Sequence, residues 1–374
     1  MTTLGVAAEQ EQLRDSVRRF LDDRAPLTRV RELMETENGT DKAVWEQAGS
    51  QLGLQGLAIP EEYGGAGFSF AEQAVVLEEF GAALYGGPYL ASAVLAATSL
   101  LASQDEAAQR DLLPGIASGE TIATLAFTED DGSWDPSTIR LSAVKGADGW
   151  RLSGHKSFVL DGGSADLILV LAVADGGLSL LAVNRGAAGL TAAVLPTLDQ
   201  TRKLGRLEFD GVTARLIGSV GDGSAIVDRV LDVAAIALAA EQLGGAQRAL
   251  DMAVEYSKVR HQFGRPVGSF QALKHRMADM LLEVESLRSA VSYTVAAVAE
   301  ESEEVPILAP LVKAYASETF FHVAAENIQI HGGIGFTWEH DAHLYFKRAK
   351  SSELFLGDAA YHRERLATRI ELWP

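Results

Sequence analysis

The sequence has 374 residues, 47% of them hydrophobic and 22% charged, and its 51 acidic against 32 basic residues leave a net charge of −19. A surface this acidic repels phosphate backbones, so nucleic acid is not expected as a partner, and no apolar run nears the roughly 20 residues a membrane-spanning helix needs. Cysteine is absent, which excludes disulfides and thiolate metal sites; the N-terminal stretch carries acids where a secretion signal has a basic start, so a cytoplasmic protein without membrane attachment is expected.

Along the chain, residues 1–120 read as a helical domain. Leu13, Val17 and Phe20-Leu21 recur at the spacing of one buried helix face. Gly64-Gly65 and Gly67 mark a turn, and a helix is expected over 70–85. Residues 121–225 change texture. Short apolar runs at 121–127, 150–152, 167–174 and 178–183 are separated by Gly, Asp and Ser clusters, which predicts a small antiparallel β domain. From 226 to 374 the helical pattern returns, with helices expected over 227–260, 270–302, 307–331 and 351–373, the third opened by Pro306. Four long helices with short connections predict a bundle. Gly244-Gly245 inside its first helix costs about 1 kcal/mol per glycine relative to alanine, and close helix approach is the expected reason.

Two segments of that bundle carry chemistry. Arg260-His261-Gln262-Phe263-Gly264 is followed by Phe270-Gln271 and Ala278-Asp279-Met280, while Gln329-Ile330-His331-Gly332-Gly333-Ile334-Gly335-Phe336 ends the third helix. An arginine presents a planar fork of donors suited to a pyrophosphate. Paired glycines at a helix end let backbone N–H groups approach phosphate or ribose. Together they suit a dinucleotide.

With a helical domain, a β domain and a four-helix bundle in that order, the chain resembles the acyl-CoA dehydrogenases along almost its whole length. The resemblance implies an α+β multidomain fold and FAD as cofactor. It assigns Arg260, Gln262, Phe263 and Gln271 to one chain's hold on FAD and Gln329, Gly332 and Gly333 to a partner chain's. A homo- or hetero-oligomer, dimer or tetramer, follows, as do an acyl-CoA substrate and an electron-transferring flavoprotein as redox partner. Ala126-Phe127-Thr128-Glu129 is similar to the family's strand along the flavin ring, and Ser133 to a serine in the loop after it. Phe158-Val159-Leu160 stands where the family has Trp-Ile-Thr or Trp-Ile-Ser. Phe158 keeps an aromatic shield there, and Leu160 lacks the hydroxyl that commonly bonds flavin N5. Asp358 matches a position that in relatives touches the ADP portion.

The family's reaction needs a carboxylate to remove the proton α to the thioester. Its two usual places for that base correspond here to Leu356 and Ala234, neither of which takes a proton. The nearest acids are Asp358, Asp232 and Glu241, the last roughly 10 Å along the helix from Ala234. Two versions of function stay open: an FAD-dependent acyl-CoA dehydrogenase with a relocated base, or a silent FAD-binding subunit paired with an active homologue. The second suits the similarity of TRKLGRLEFD and FTWEHDAHLYFKRA to an actinobacterial branch that includes heteromeric steroid-CoA dehydrogenases. A flavin oxidase or monooxygenase, or a non-enzymatic role, would use the same scaffold. His340-Asp341-Ala342-His343 has metal-like spacing, but a loop entering a helix is the expected reading and no metal is expected.

Overall fold

The computed structural model describes residues 4–147 and 149–372. Among them the helices are, in chain order, α1 (Leu4–Arg24), α2 (Leu27–Met34), α3 (Lys42–Leu52), α4 (Phe70–Ala82), α5 (Ala97–Ala102), α6 (Glu106–Ser118), α7 (Gly223–Val259), α8 (Gln271–Ala299), α9 (Val305–His331), α10 (Ala342–Leu354) and α11 (Ala359–Arg369). A π-helical stretch, Leu90–Ala96, leads into α5. The main strands are β1 (Ala123–Ala126), β2 (Ser142–Gly146), β3 (Gly149–Leu160), β4 (Leu167–Ala174), β5 (Gly177–Asn184), β6 (Leu190–Leu195) and β7 (Leu204–Ile217). The chain forms two compact units: Met1–Val30, Phe70–Tyr85 and Ala235–Pro374 make one, Arg31–Ser69 and Gly86–Ala234 the other.

The first unit is a helix bundle, and glycine sets its tightest crossing. A methyl group on Gly244 of α7 would lie 1.8 Å from the Glu78 carbonyl oxygen of α4, and one on Gly81 of α4 would lie 1.9 Å from the Glu241 carbonyl oxygen. The two helices therefore touch backbone to backbone. Gly245 makes room for the ring of Phe320 on α9, whose Cζ would be 2.4 Å from an added methyl. The expected reason for Gly244-Gly245 holds. One expectation fails: the helix expected over 351–373 is split by a turn at 355–358, where Leu356 (φ 64°) and Gly357 (φ 98°) both take left-handed backbone. No helix continues through such angles. The stretch before it, from Ala342, joins the helical part.

In the second unit, β4 pairs with β2 and β5, β2 with β3, β3 with β7, and β7 with β5, so the pairing closes on itself. The sheet is antiparallel except where β1 and one end of β2 run parallel to β4. Leu152, Ile168, Val170, Leu181, Leu207 and Val212 fill its interior. At β3 the ladder slips: Lys156 faces Leu207 and Val159 faces Gly205, so Ser157 and Phe158 stand opposite the single residue Arg206. This is a β-bulge, a device that bends a strand and re-aims a side chain.

Candidate functional site

The candidate residues fall into two sets, one in each unit. In the sheet unit, Phe127, Thr128, Ser133, Phe158 and Leu160 surround the bulge. Phe158 sits at φ 57°, a conformation that costs an aromatic residue about 1–3 kcal/mol, and 39% of its surface is exposed. Its ring borders the loop at Gly132, where an added methyl would come within 3.7 Å. Phe127 is buried and stacks on Trp134, with centroids 5.5 Å apart and an interplanar angle of 9°. Ser133 lies in the same loop, its Oγ accepting the Asp135 amide at 3.2 Å. Thr128 gives its hydroxyl proton to the Ser157 carbonyl at 2.5 Å and takes the Ser157 amide on its own carbonyl at 2.9 Å. The Thr128 hydroxyl oxygen therefore faces the bulge with acceptor capacity to spare. Leu160 is buried, and its carbonyl accepts the Thr124 hydroxyl.

Around this set lies a polar framework that sequence reasoning missed. Lys156, with no exposed surface, donates from Nζ to the Phe127 carbonyl at 2.8 Å and to Glu129 Oε1 at 3.0 Å. Glu129 Oε1 also accepts the amides of Leu141 (2.8 Å) and Arg140 (3.0 Å). Burial works to raise the Glu129 carboxyl, but these amides and Lys156 hold it below the usual range. Burial pushes the Lys156 ammonium down to about 8, against the pull of Glu129. Asp130 accepts Ser157 Oγ at 2.5 Å, meets His155 Nε2 at 3.0 Å and pairs with Arg206. The Ser157 hydroxyl, then Arg206, keep its carboxyl low. No run of consecutive residues signals this framework, because Lys156, Glu129 and the Arg140-Leu141 amides meet only across separate segments.

In the bundle unit, Arg260, Gln262, Phe263 and Gln271 are exposed, Phe263 at 91%. Phe263 and Gly264 both have positive φ, and Phe263 meets Phe270 edge-on at 6.1 Å, with Arg265 over the Phe270 ring at 4.0 Å. After α9, methyl groups on Gly332 (φ 64°) or Gly333 would meet nothing within 4 Å, so the turn after Gln329 is open to an incoming ligand. His331, one residue before the pair, packs on Tyr256 with centroids 4.2 Å apart, and the Tyr256 carbonyl accepts the Arg260 amide at 2.9 Å. One chain thus brings the base of its Arg260 loop close to its own Gly332-Gly333 turn, two segments that the resemblance assigns to different subunits.

Leu356 and Ala234 are both buried. The turn bearing Leu356 is held from beneath: Lys313 Nζ donates to the carbonyls of Gly357 (3.1 Å) and Glu353 (3.3 Å) and to Ser317 Oγ (2.8 Å), and His362 Nε2 lies 2.9 Å from the Leu356 carbonyl. Burial, then the Lys313 charge, push the His362 imidazole down to about 3, so it is neutral and donates. Each candidate base has another employment. Asp358 caps α11, its Oδ1 accepting the Tyr361 amide at 2.8 Å. Glu241 is buried against Arg348, with Oε1 2.9 Å from Nη1. Asp232 is buried and engaged.

Residues 7–120, 124–212 and 221–371 match in turn the N-terminal, middle and C-terminal domains of acyl-CoA dehydrogenase. Acyl-CoA dehydrogenase IpdE2 of Mycolicibacterium smegmatis is 38% identical over 365 residues, covering 98% of this chain and 100% of that protein. The chain belongs to the acyl-CoA dehydrogenase family. Among solved structures, a variant of the Tcur3481-Tcur3483 steroid ACAD is 34% identical with a TM-score of 0.88, covering 97% of this chain and 98% of that one. The ChsE4-ChsE5 complex from Mycobacterium tuberculosis is 31% identical with a TM-score of 0.90, covering 100% of this chain and 99% of that one. Acyl-CoA dehydrogenases are oxidoreductases and flavoproteins, and this chain is one by descent. Among the described residues no helix is long and apolar enough to cross a membrane, and no group of three or more His, Asp or Glu is placed to hold a metal.

Proposed function

We propose that this chain binds FAD and serves the α,β-desaturation of an acyl-CoA thioester. The observation that carries the cofactor reading is the open Gly332-Gly333 turn beside the exposed Arg260 loop, tied together through His331 and Tyr256. The guanidinium of Arg260, with Gln262, Phe263 and Gln271, suits one chain's hold on the pyrophosphate of a dinucleotide, Gln329 and the Gly332-Gly333 turn of a partner chain would complete it, and Asp358 offers a further acceptor beside its cap. The bulge segment, with Thr128, Ser133 and the outward Phe158, suits the ring. When bound, FAD would supply an acceptor for the hydride that leaves the β-carbon. The chain's own work is to hold thioester and ring in register and to exclude water.

A second reading concerns the proton. Leu356 and Ala234 take none, and Asp358, Glu241 and Asp232 are all engaged in structural bonds. This favours a base supplied by a homologous chain in a mixed oligomer. The ChsE4-ChsE5 structure is a complex of two proteins. Exposed Val259, Phe263, Ile334, Phe336 and Trp338 around the clamp supply apolar surface for a partner subunit. A bulky, steroid-like acyl group fits the named relative, and an electron-transferring flavoprotein in the cytoplasm would reoxidise the flavin. The test is purification alone and with a co-expressed homologue, followed by anaerobic addition of acyl-CoA. A yellow protein that bleaches only in the mixed assembly supports both parts. Bleaching of the lone chain removes the second reading, peroxide formation points to an oxidase, and a colourless protein in every assembly overturns the first.

A further inference from the structure

We infer that Lys156 is a positioning residue for the flavin ring. The inference rests on the proposed flavin site at the β3 bulge and deepens it. Three observations converge. The bulge holds Phe158 in a left-handed conformation that an aromatic residue does not adopt unaided. The chain segment after β1, which carries Phe127 and Thr128, is the one that faces it. A single buried ammonium, one residue before Ser157, joins the two by donating to the Phe127 carbonyl and to Glu129.

Glu129 in turn is pinned by the amides of Arg140 and Leu141, so the load passes to a third segment, just ahead of β2. Lys156 thus fixes the spacing between Thr128, which presents an acceptor, and Phe158, which presents a ring face. Its side chain has no exposed surface, and its ammonium is taken up by the Phe127 carbonyl and Glu129. It acts through the residues on either side of it. A flexible link here would let the two segments part by a fraction of an ångström, and polar contacts to a bound ring weaken steeply with such displacement.

The experiment compares Lys156→Met, a side chain of similar length, with Phe158→Ala and the parent protein, each as the purified oligomer. FAD affinity is measured by fluorescence titration of the flavin-stripped protein, and the visible absorption and circular dichroism of the bound flavin are recorded. Folding is checked by far-ultraviolet circular dichroism. The expected result is a folded Lys156→Met protein with FAD bound about tenfold or more weakly and with displaced flavin bands, and partial rescue in Lys156→Arg. If Phe158→Ala changes affinity and spectrum while folded Lys156→Met matches the parent in both, the positioning inference is wrong. If neither variant changes either quantity, the flavin site itself is misplaced. Should Lys156→Met not fold, Glu129→Gln, which removes the carboxylate charge from the pair and keeps an amide oxygen as acceptor for the backbone amides, is read by the same two criteria.

Discussion

Arg348 Nη1 lies 2.9 Å from Glu241 Oε1, and both side chains are buried between α10 and α7. A carboxylate so placed is the counter-charge of an arginine and is poorly suited to collect a proton from substrate. Removing one partner of such a pair strands a buried charge, at a cost of about 3–5 kcal/mol. Arg348→Met should therefore lower the unfolding free energy by that amount in urea titrations, and the double variant with Glu241→Met should recover part of the loss. A double-variant loss equal to the sum of the two single losses would show that the pair is not coupled.

A related set of variants bears on the base. Asp358→Asn keeps a cap, since asparagine serves that position nearly as well as aspartate, and Asp232→Asn and Glu241→Gln each remove a carboxylate. In whatever assembly bleaches, each of the three should retain a reduction rate within about tenfold of the parent, whereas loss of a general base costs about 100-fold or more. Stopped-flow absorbance at the flavin band decides it. A loss on the order of 1000-fold in any one of them identifies the missing base in this chain.

Glycines at two places should behave in opposite ways. At Gly244 an added methyl would overlap the Glu78 carbonyl oxygen, so Gly244→Ala should destabilise by about 3 kcal/mol or prevent folding, at the upper end of overpacking costs. At Gly333 a side chain meets open space, so Gly333→Val should fold normally and bind FAD about tenfold or more weakly. Thermal melts and flavin content of the same preparations separate the two.

Acid should weaken the protein through His362. Burial first, and the neighbouring Lys313 ammonium second, lower its folded pKa to about 3, while the unfolded chain binds the proton near 6.5. Between those values the unfolded state holds more protons, so this stabilisation is complete above about pH 6.5 and is lost as pH falls toward 3. The unfolding free energy should drop by roughly a few kcal/mol between about pH 7 and about pH 4, and His362→Gln should flatten that slope. For Lys156, lowered from 10.5 to about 8, the sign is the same over a higher window: its contribution grows as pH rises from about 8 toward 10.5.

Much of the fold was legible because hydrophobic period and glycine punctuation are local signals. The spacing of Leu13, Val17 and Leu21 belongs to α1, and the runs at 167–174 and 178–183 are β4 and β5 within a residue. The break at 355–358 was not legible, because Leu356 adopts a left-handed angle for reasons that lie in Lys313 and His362, far along the chain or a turn away. The partners of Glu241 and Lys156 were hidden for the same cause. A buried ion pair such as Glu241–Arg348 joins residues 107 positions apart, and periodicity says only that each side chain points inward. The clamp motifs were visible because their chemistry is carried by consecutive residues.

The most direct test of desaturation on a bound flavin is anaerobic addition of acyl-CoA to the flavin-loaded protein in its native assembly, followed by absorbance and product analysis. The expected result is loss of the oxidised flavin band with stoichiometric appearance of the α,β-unsaturated thioester, and failure of Arg260→Ala to retain FAD. A protein that carries no FAD in any assembly, or one that carries FAD and leaves every acyl-CoA saturated, would contradict it.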